Sequence, residues 1–127
     1  MATGISDYLA DALLDAVGNN TSFAVATVYV KLHVGDPSAT GTANPAVETT
    51  RKSVSFAAAS SGVLASDAAV TWTNIAGSED ATFFTAWDAS TSGNFLCSGT
   101  ITANPYTAGD TFTIASGDLT VSLTIAS

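Results

Sequence analysis

Residues 27–34 alternate without a break: Val28, Val30, Leu32 and Val34 are apolar, and Thr27, Tyr29, Lys31 and His33 take the positions between them. A period of two belongs to a strand with one dry face and one wetter face. Gly35, Asp36 and Pro37 follow at once. Proline has no amide to give a ladder and turns the residue before it away from helical space, so the chain leaves the sheet there. The rest of the chain has to cover this strand's apolar face. Its only histidine, His33, is expected on the wetter side.

One helix is expected, ahead of this strand. Ser6 is placed to cap it, Tyr8, Leu9, Ala12, Leu13, Ala16 and Val17 recur at helical spacing, and Gly18, Asn19 and Asn20 stop it. Asp7, Asp11 and Asp15 form a stripe on the opposite side, as a solvated face does, and the first two sit near the positive end of the helix. After the strand, residues 38–50 are rich in Ala, Thr, Gly and Pro and show no period, which reads as a long surface loop.

From Arg51 onward the pattern is strand and turn. Residues 53–58 and 69–73 alternate, with a turn at Ser60, Ser61 and Gly62 between them. Residues 81–88 carry aromatics on both faces and belong in the middle of a sheet, and 90–94 reverse the chain into 95–101 as a hairpin. Residues 111–114 and 119–125 complete the series, the last with Leu119, Val121, Leu123 and Ile125 on one face and no charge to discourage pairing at its edge. About seven short strands behind one helix predict a mainly β fold, an antiparallel β-sandwich of jelly-roll or Ig-like type or a partly closed barrel. The expectation is a single domain over 1–127, with the helix in 1–20 and the sandwich in 27–127, interrupted by the loop 38–50.

Charge then narrows the function. Charged residues make up 11% of the 127, against about 25% in an average domain. The net charge is −8, with only Lys31, Arg51 and Lys52 positive. Nucleic acid and anionic membrane are therefore not expected as partners, because both need clustered Lys and Arg. The opening residues have neither the basic nor the apolar region of a standard signal peptide, so synthesis and use without such secretion is the expectation. Cys97 is the only cysteine and has no internal partner for a disulfide.

Candidate chemistry is sparse. His33 has no companion histidine for a metal site, and Cys97 shares a strand face with Phe95, Gly99 and Ile101, where a buried structural thiol is the default. No serine stands in a nucleophile elbow, no phosphate-binding glycine loop is present, and Glu79 with Asp80 lies in a turn where hydration is expected. No catalytic residue, metal or cofactor is assigned. Trp72, Trp87 and Tyr106, if exposed, offer stacking surfaces for a sugar. The residues expected to meet another subunit or a larger particle are Asp36, Pro37, Asn44, Pro45 and Glu48 around the long loop, with Arg51 and Lys52, whose charges are expected to pair with a carboxylate within or across subunits.

The order of short motifs resembles a family of small proteins of tailed bacteriophages. The residues that carry it are Tyr8, Leu9 and Ala10, the run 28–37, Gly41 and Glu48, the run 51–56, Trp87, Asp88 and Ala89, the run 93–96, Ser98 and Gly99, the run 108–112, and Gly117, Asp118 and Leu119. Thr49 and Thr50 stand where the family tends to have Gly and an aromatic, and Cys97 stands where an aromatic is frequent. Such proteins are labelled phage tail fibre or minor tail proteins, so the resemblance implies a non-enzymatic structural part of the virion, made in the cytoplasm of the infected bacterium.

Compactness, low charge and acidity make a decoration or cement protein on the capsid surface the leading expectation, with a tail fibre or minor tail protein, which the family label favours, as the alternative. The partners expected are further copies of the chain, as a trimer, and the major capsid protein or tail proteins. A free carbohydrate-binding module, with a host glycan as ligand, is the third reading.

Overall fold

The computed structural model describes residues 3–126. Met1 and Ala2, at the start of the segment expected to hold the helix, and Ser127 lie outside the described residues. The helix α1 is Asp7–Gly18. Ser6 caps it as the sequence implies, accepting a hydrogen bond from the Leu9 amide, while its own hydroxyl donates to the Phe95 carbonyl and so ties the helix start to the sheet. Asn19 ends it, with its amide bonded to the Asp15 carbonyl, and Asn20 then takes a left-handed conformation. The helix lies against β6 on the side of Leu9, Ala12 and Leu13, which are half-buried, but it enters the core no further. None of its residues is buried, and Val17 and Leu14 are 86% and 68% exposed.

Eight strands follow: β1 (Val28–His33), β2 (Lys52–Val54), β3 (Val63–Ala65), β4 (Val70–Trp72), β5 (Phe83–Trp87), β6 (Phe95–Thr100), β7 (Phe112–Ile114) and β8 (Thr120–Ser122). The extra strand, β3, is three consecutive apolar residues without alternation, which gives periodicity nothing to find. The last strand is shorter than 119–125 because only Thr120–Ser122 has a facing strand in β3.

All pairings are antiparallel. One sheet has the order β2-β1-β5-β6, and two smaller sheets pair β3 with β8 and β4 with β7. β5 lies between β1 and β6 and is buried on both faces, as its aromatics require. Residues 55–57 carry β2 onward to pair with residues 65–67, and β8 lies beside β6. One half of the molecule is therefore a sandwich of the large sheet against β4 and β7, and the other half curls toward a barrel.

The sandwich half holds the main core. Val30, Leu32 and Phe84 of the large sheet pack with Trp72, Phe112, Ile114 and Leu119, with Ile75 and Tyr106 supplied by loops. Trp72 closes the space by donating its indole N–H to the Thr50 carbonyl. Trp72, Trp87 and Tyr106 are 1%, 9% and 7% exposed, so the stacking surface considered for a sugar does not exist.

A bulge between Ala86 and Trp87 places Phe95 opposite Trp87 and Cys97 opposite Ala86. Phe95 and Cys97 consequently lie on opposite faces of the sheet, contrary to the alignment expected from their spacing. Cys97 is buried beside Ala86 and Leu96, and that burial pushes its thiol up to about 12.

Candidate functional site

The expected wet face of β1 is dry at its His33 end, and the reason is the loop. Residues 44–46 return to β1, through Val34 N–H to the Asn44 carbonyl and Ala46 N–H to the Leu32 carbonyl. Residues 35–43 then fold across the outer face of the large sheet. Asp36 starts this fold by accepting the Ser38 amide on its Oδ1, and Ser38, Gly41 and Asn44 adopt left-handed backbone conformations that bend the chain flat. Gly41 is required there: a Cβ at this position would stand 2.6 Å from the Phe95 ring. Pro37, Gly41, Ala46 and Glu48 are buried, so the expected surface loop is packed down on the sheet while most of its residues face outward. Val34, expected inside, lies past the sheet's end and is 40% exposed.

His33 is fully buried beneath this layer. Its Nδ1 lies 2.8 Å from the Ala43 carbonyl and its Nε2 lies 2.9 Å from Thr85 Oγ1, which also accepts the Trp87 indole N–H at 2.7 Å. A carbonyl only accepts, so Nδ1 carries the proton, Nε2 accepts from the Thr85 hydroxyl, and one directional chain runs from Trp87 to Ala43. Burial lowers the pKa of His33, the neighbouring Lys31 acts in the same direction, and the backbone contact at Ala43 opposes them. His33 lies on the outer face of the sheet with Thr85, and Cys97 lies on the inner face with Ala86. A catalytic pair of the two is excluded by geometry.

Arg51 joins the layer to the β5–β6 hairpin. Its Nη1 donates to the carbonyls of Ala89 and Ser92 at 2.8 and 2.7 Å, and the guanidinium lies 4.2 Å over the Trp87 ring. Within the hairpin Asp88 accepts both the backbone and the side-chain N–H groups of Asn94, and these bonds, with a smaller contribution from Arg51, hold its carboxyl below the usual range. Within the chain the hydrogen bonds of the Arg51 guanidinium go to carbonyls that the hairpin turns toward it, and the Asp88 carboxylate acts on it through space. Lys52, half-buried, lies opposite Val30 in the ladder.

Glu48 is 7% exposed and accepts the amides of Thr50 and Ala76. Burial pushes its carboxyl up, but these bonds outweigh it and the pKa is lowered. Glu79, expected to be hydrated in a turn, accepts the Val47 amide and the Tyr106 hydroxyl. Burial and then the Glu79 carboxylate raise the Tyr106 hydroxyl above its ordinary value. Periodicity could not reveal these roles, since each carboxylate also holds a loop amide about thirty residues away in sequence. Among the described residues no cluster of His, Cys, Asp or Glu could hold a metal ion.

The contact residues read from the sequence divide accordingly. Asp36, Pro37, Glu48 and Arg51 build the layer from inside, and Asn44 bridges it by donating its side-chain N–H to the Asp36 carbonyl. Pro45 and Asn44 stay exposed, together with Thr40, Thr42 and Val47. What the layer presents outward is an uncharged surface.

Residues 4–122 match the profile of a family described as podophage GP4 fiber I protein gp80. The chain belongs to this family. The match begins before α1 and ends at the last residue of β8, so the unit that defines this phage fibre family is the whole domain described above. The resemblance read from the sequence is thereby supported, and the balance between its two placements moves from the capsid to the fibre. A comparison with curated proteins finds no match.

Proposed function

We propose that this chain is a non-catalytic structural subunit of the fibre apparatus of a tailed-phage virion, made in the cytoplasm of the infected bacterium. The observation that carries this reading is the family match over 4–122, which takes in every helix and strand of the domain. The groups with chemical potential support it. Both ring nitrogens of His33 are used internally, the Cys97 thiol is held protonated by burial, and the buried Glu48 carboxylate is occupied by backbone amides. Such groups hold shape and turn over no substrate.

The outward surface of residues 38–50 is the part proposed to meet the neighbouring virion protein. It combines exposed Thr, Asn and Pro side chains with a backbone fixed from beneath, so little ordering entropy is lost on docking. Gold-labelled antibody against the chain, imaged on intact virions, tests the placement. Label confined to the tail is the expected outcome. Label spread over the head in many copies would overturn it in favour of capsid decoration.

A further inference from the structure

His33 stands, fully buried, between the large sheet and the segment 35–43 that covers it. The hydrogen bonds inside that segment are those of single turns: Ser38 N–H to Asp36 Oδ1, Gly41 N–H to the Ser38 carbonyl, and Ala43 N–H to the Pro37 carbonyl. From the sheet, His33 Nδ1 reaches up to the Ala43 carbonyl. On the other side of the ring Nε2 accepts from the Thr85 hydroxyl, and Thr85 is itself fully buried.

A second proton on this ring has no good place. It would sit on Nε2, facing an oxygen that already accepts the Trp87 indole N–H, and it would take from the Thr85 hydroxyl the acceptor it now uses. A buried charge and an unpaired buried hydroxyl are both strongly unfavourable until water or a new partner reaches them. The neighbouring elements are poor in such partners. Lys31, on the same face of β1, adds a like charge, and Arg51 stands beside Lys31. β5 brings Phe83 and Thr85 to this face and contains no titratable residue. In 35–46 the titratable residue is Asp36, whose Oδ1 holds the Ser38 amide, and Glu48 beyond it holds the amides of Thr50 and Ala76.

Geometry then selects how the strain is relieved. His33 and Thr85 lie on the outer face of the large sheet, whereas Val30, Leu32 and Phe84 meet Trp72, Phe112 and Ile114 on the inner face. Lifting 35–43 lets water reach the ring and the hydroxyl without parting any of those core contacts. It gives up only the burial of Pro37 and of Gly41 against Phe95, where unfolding would give up the whole core. Local opening is therefore the smaller step.

We propose that residues 35–43 form a proton-operated flap, closed on the sheet while His33 is neutral and lifted from it once His33 is protonated. The opening belongs to the domain itself. Its consequence, that the outward surface of 38–50 loses its fixed backbone in acid and releases its neighbour, rests on the function proposed above.

Amide hydrogen exchange on the purified full chain tests it, followed residue by residue by NMR from about pH 7.5 to 5 and expressed as protection relative to the unstructured rate. The hydrated ring of the open form titrates near ~6.5, and the closed form titrates lower. Between those values protection at Gly41 and Ala43 should fall by up to about tenfold per pH unit, because opening takes up one proton. Amides of β5 should keep theirs. His33→Gln removes the titration, and protection of the segment should then no longer vary with pH. The parent gives a check that needs no variant: the ring nitrogen shifts should report a proton on Nδ1 at neutral pH and titrate together with the loss of protection. Constant protection at Gly41 and Ala43, loss in parallel with β5, a ring that titrates without any change in the segment, or the same pH dependence in His33→Gln would each overturn the proposal. Label on the head of the virion, with this exchange behaviour intact, would remove the docking role and leave the flap.

Discussion

His33 shows at the scale of one residue how burial decides a role. Its neutral ring is held between the Thr85 hydroxyl and the Ala43 carbonyl, and protonation would set a second N–H against a hydroxyl that already accepts from Trp87. The folded state therefore binds a proton less readily than the unfolded chain, whose histidine titrates near ~6.5. Stability contributed by His33 is complete above that value and is lost as pH falls toward the lower folded pKa. Urea midpoints of the parent should decline between about pH 6.5 and 5, before most carboxylates titrate. The same series with His33→Gln should be lower at pH 7 and flat across that window. A parent as flat as the variant would rule out a neutral buried histidine.

The element that most changes the molecule is the loop 35–50. Its layer depends on Gly41, which is left-handed at φ 74° and lies directly under Phe95. Gly41→Ala adds a methyl group into the ring and a backbone penalty, and is expected to cost about 1–3 kcal/mol in urea unfolding. Phe95→Leu should recover part of that loss when combined with Gly41→Ala, since the steric component vanishes and the backbone strain remains. Additive losses in the double variant would mean that glycine and ring do not touch. The reversal at Gly35, Asp36 and Pro37 was legible in the sequence, but the path of the chain after it was not. That path depends on where the Phe95 ring and the Trp87–Thr85–His33 chain stand, and those positions come from β5 and β6, some forty residues or more away in sequence.

At the scale of the whole molecule, the two halves differ in what closes them. The sandwich half is sealed by Trp72, Phe84 and Leu119, all almost fully buried, whereas the barrel half leaves several apolar side chains part-exposed. Cys97 sits where they converge and is 4% exposed, with its thiol raised to about 12. Alkylation by iodoacetamide at neutral pH should therefore be slow in the native protein and rise with urea along the global unfolding curve. Rapid labelling without denaturant would show instead that the barrel half opens by itself.

The chain's alternating runs, its turn residues and its capped helix determined a mainly β domain, the central place of β5 and the β5–β6 hairpin, because those features arise between neighbours along the chain. The resemblance to phage virion proteins was likewise contained in the order of its motifs. Only the tertiary structure decided that His33 is dry, that Arg51 holds hairpin carbonyls, that the long loop is packed down on the sheet, and that no residue of α1 is fully buried. Each of these depends on which distant segment covers a face, and alternation says only that a face is apolar. For residues 27–37 the strand was readable from its own eleven residues. Its second face was not, because the layer that dries it is set by a bulge at Ala86 and Trp87 and by a ring at Phe95.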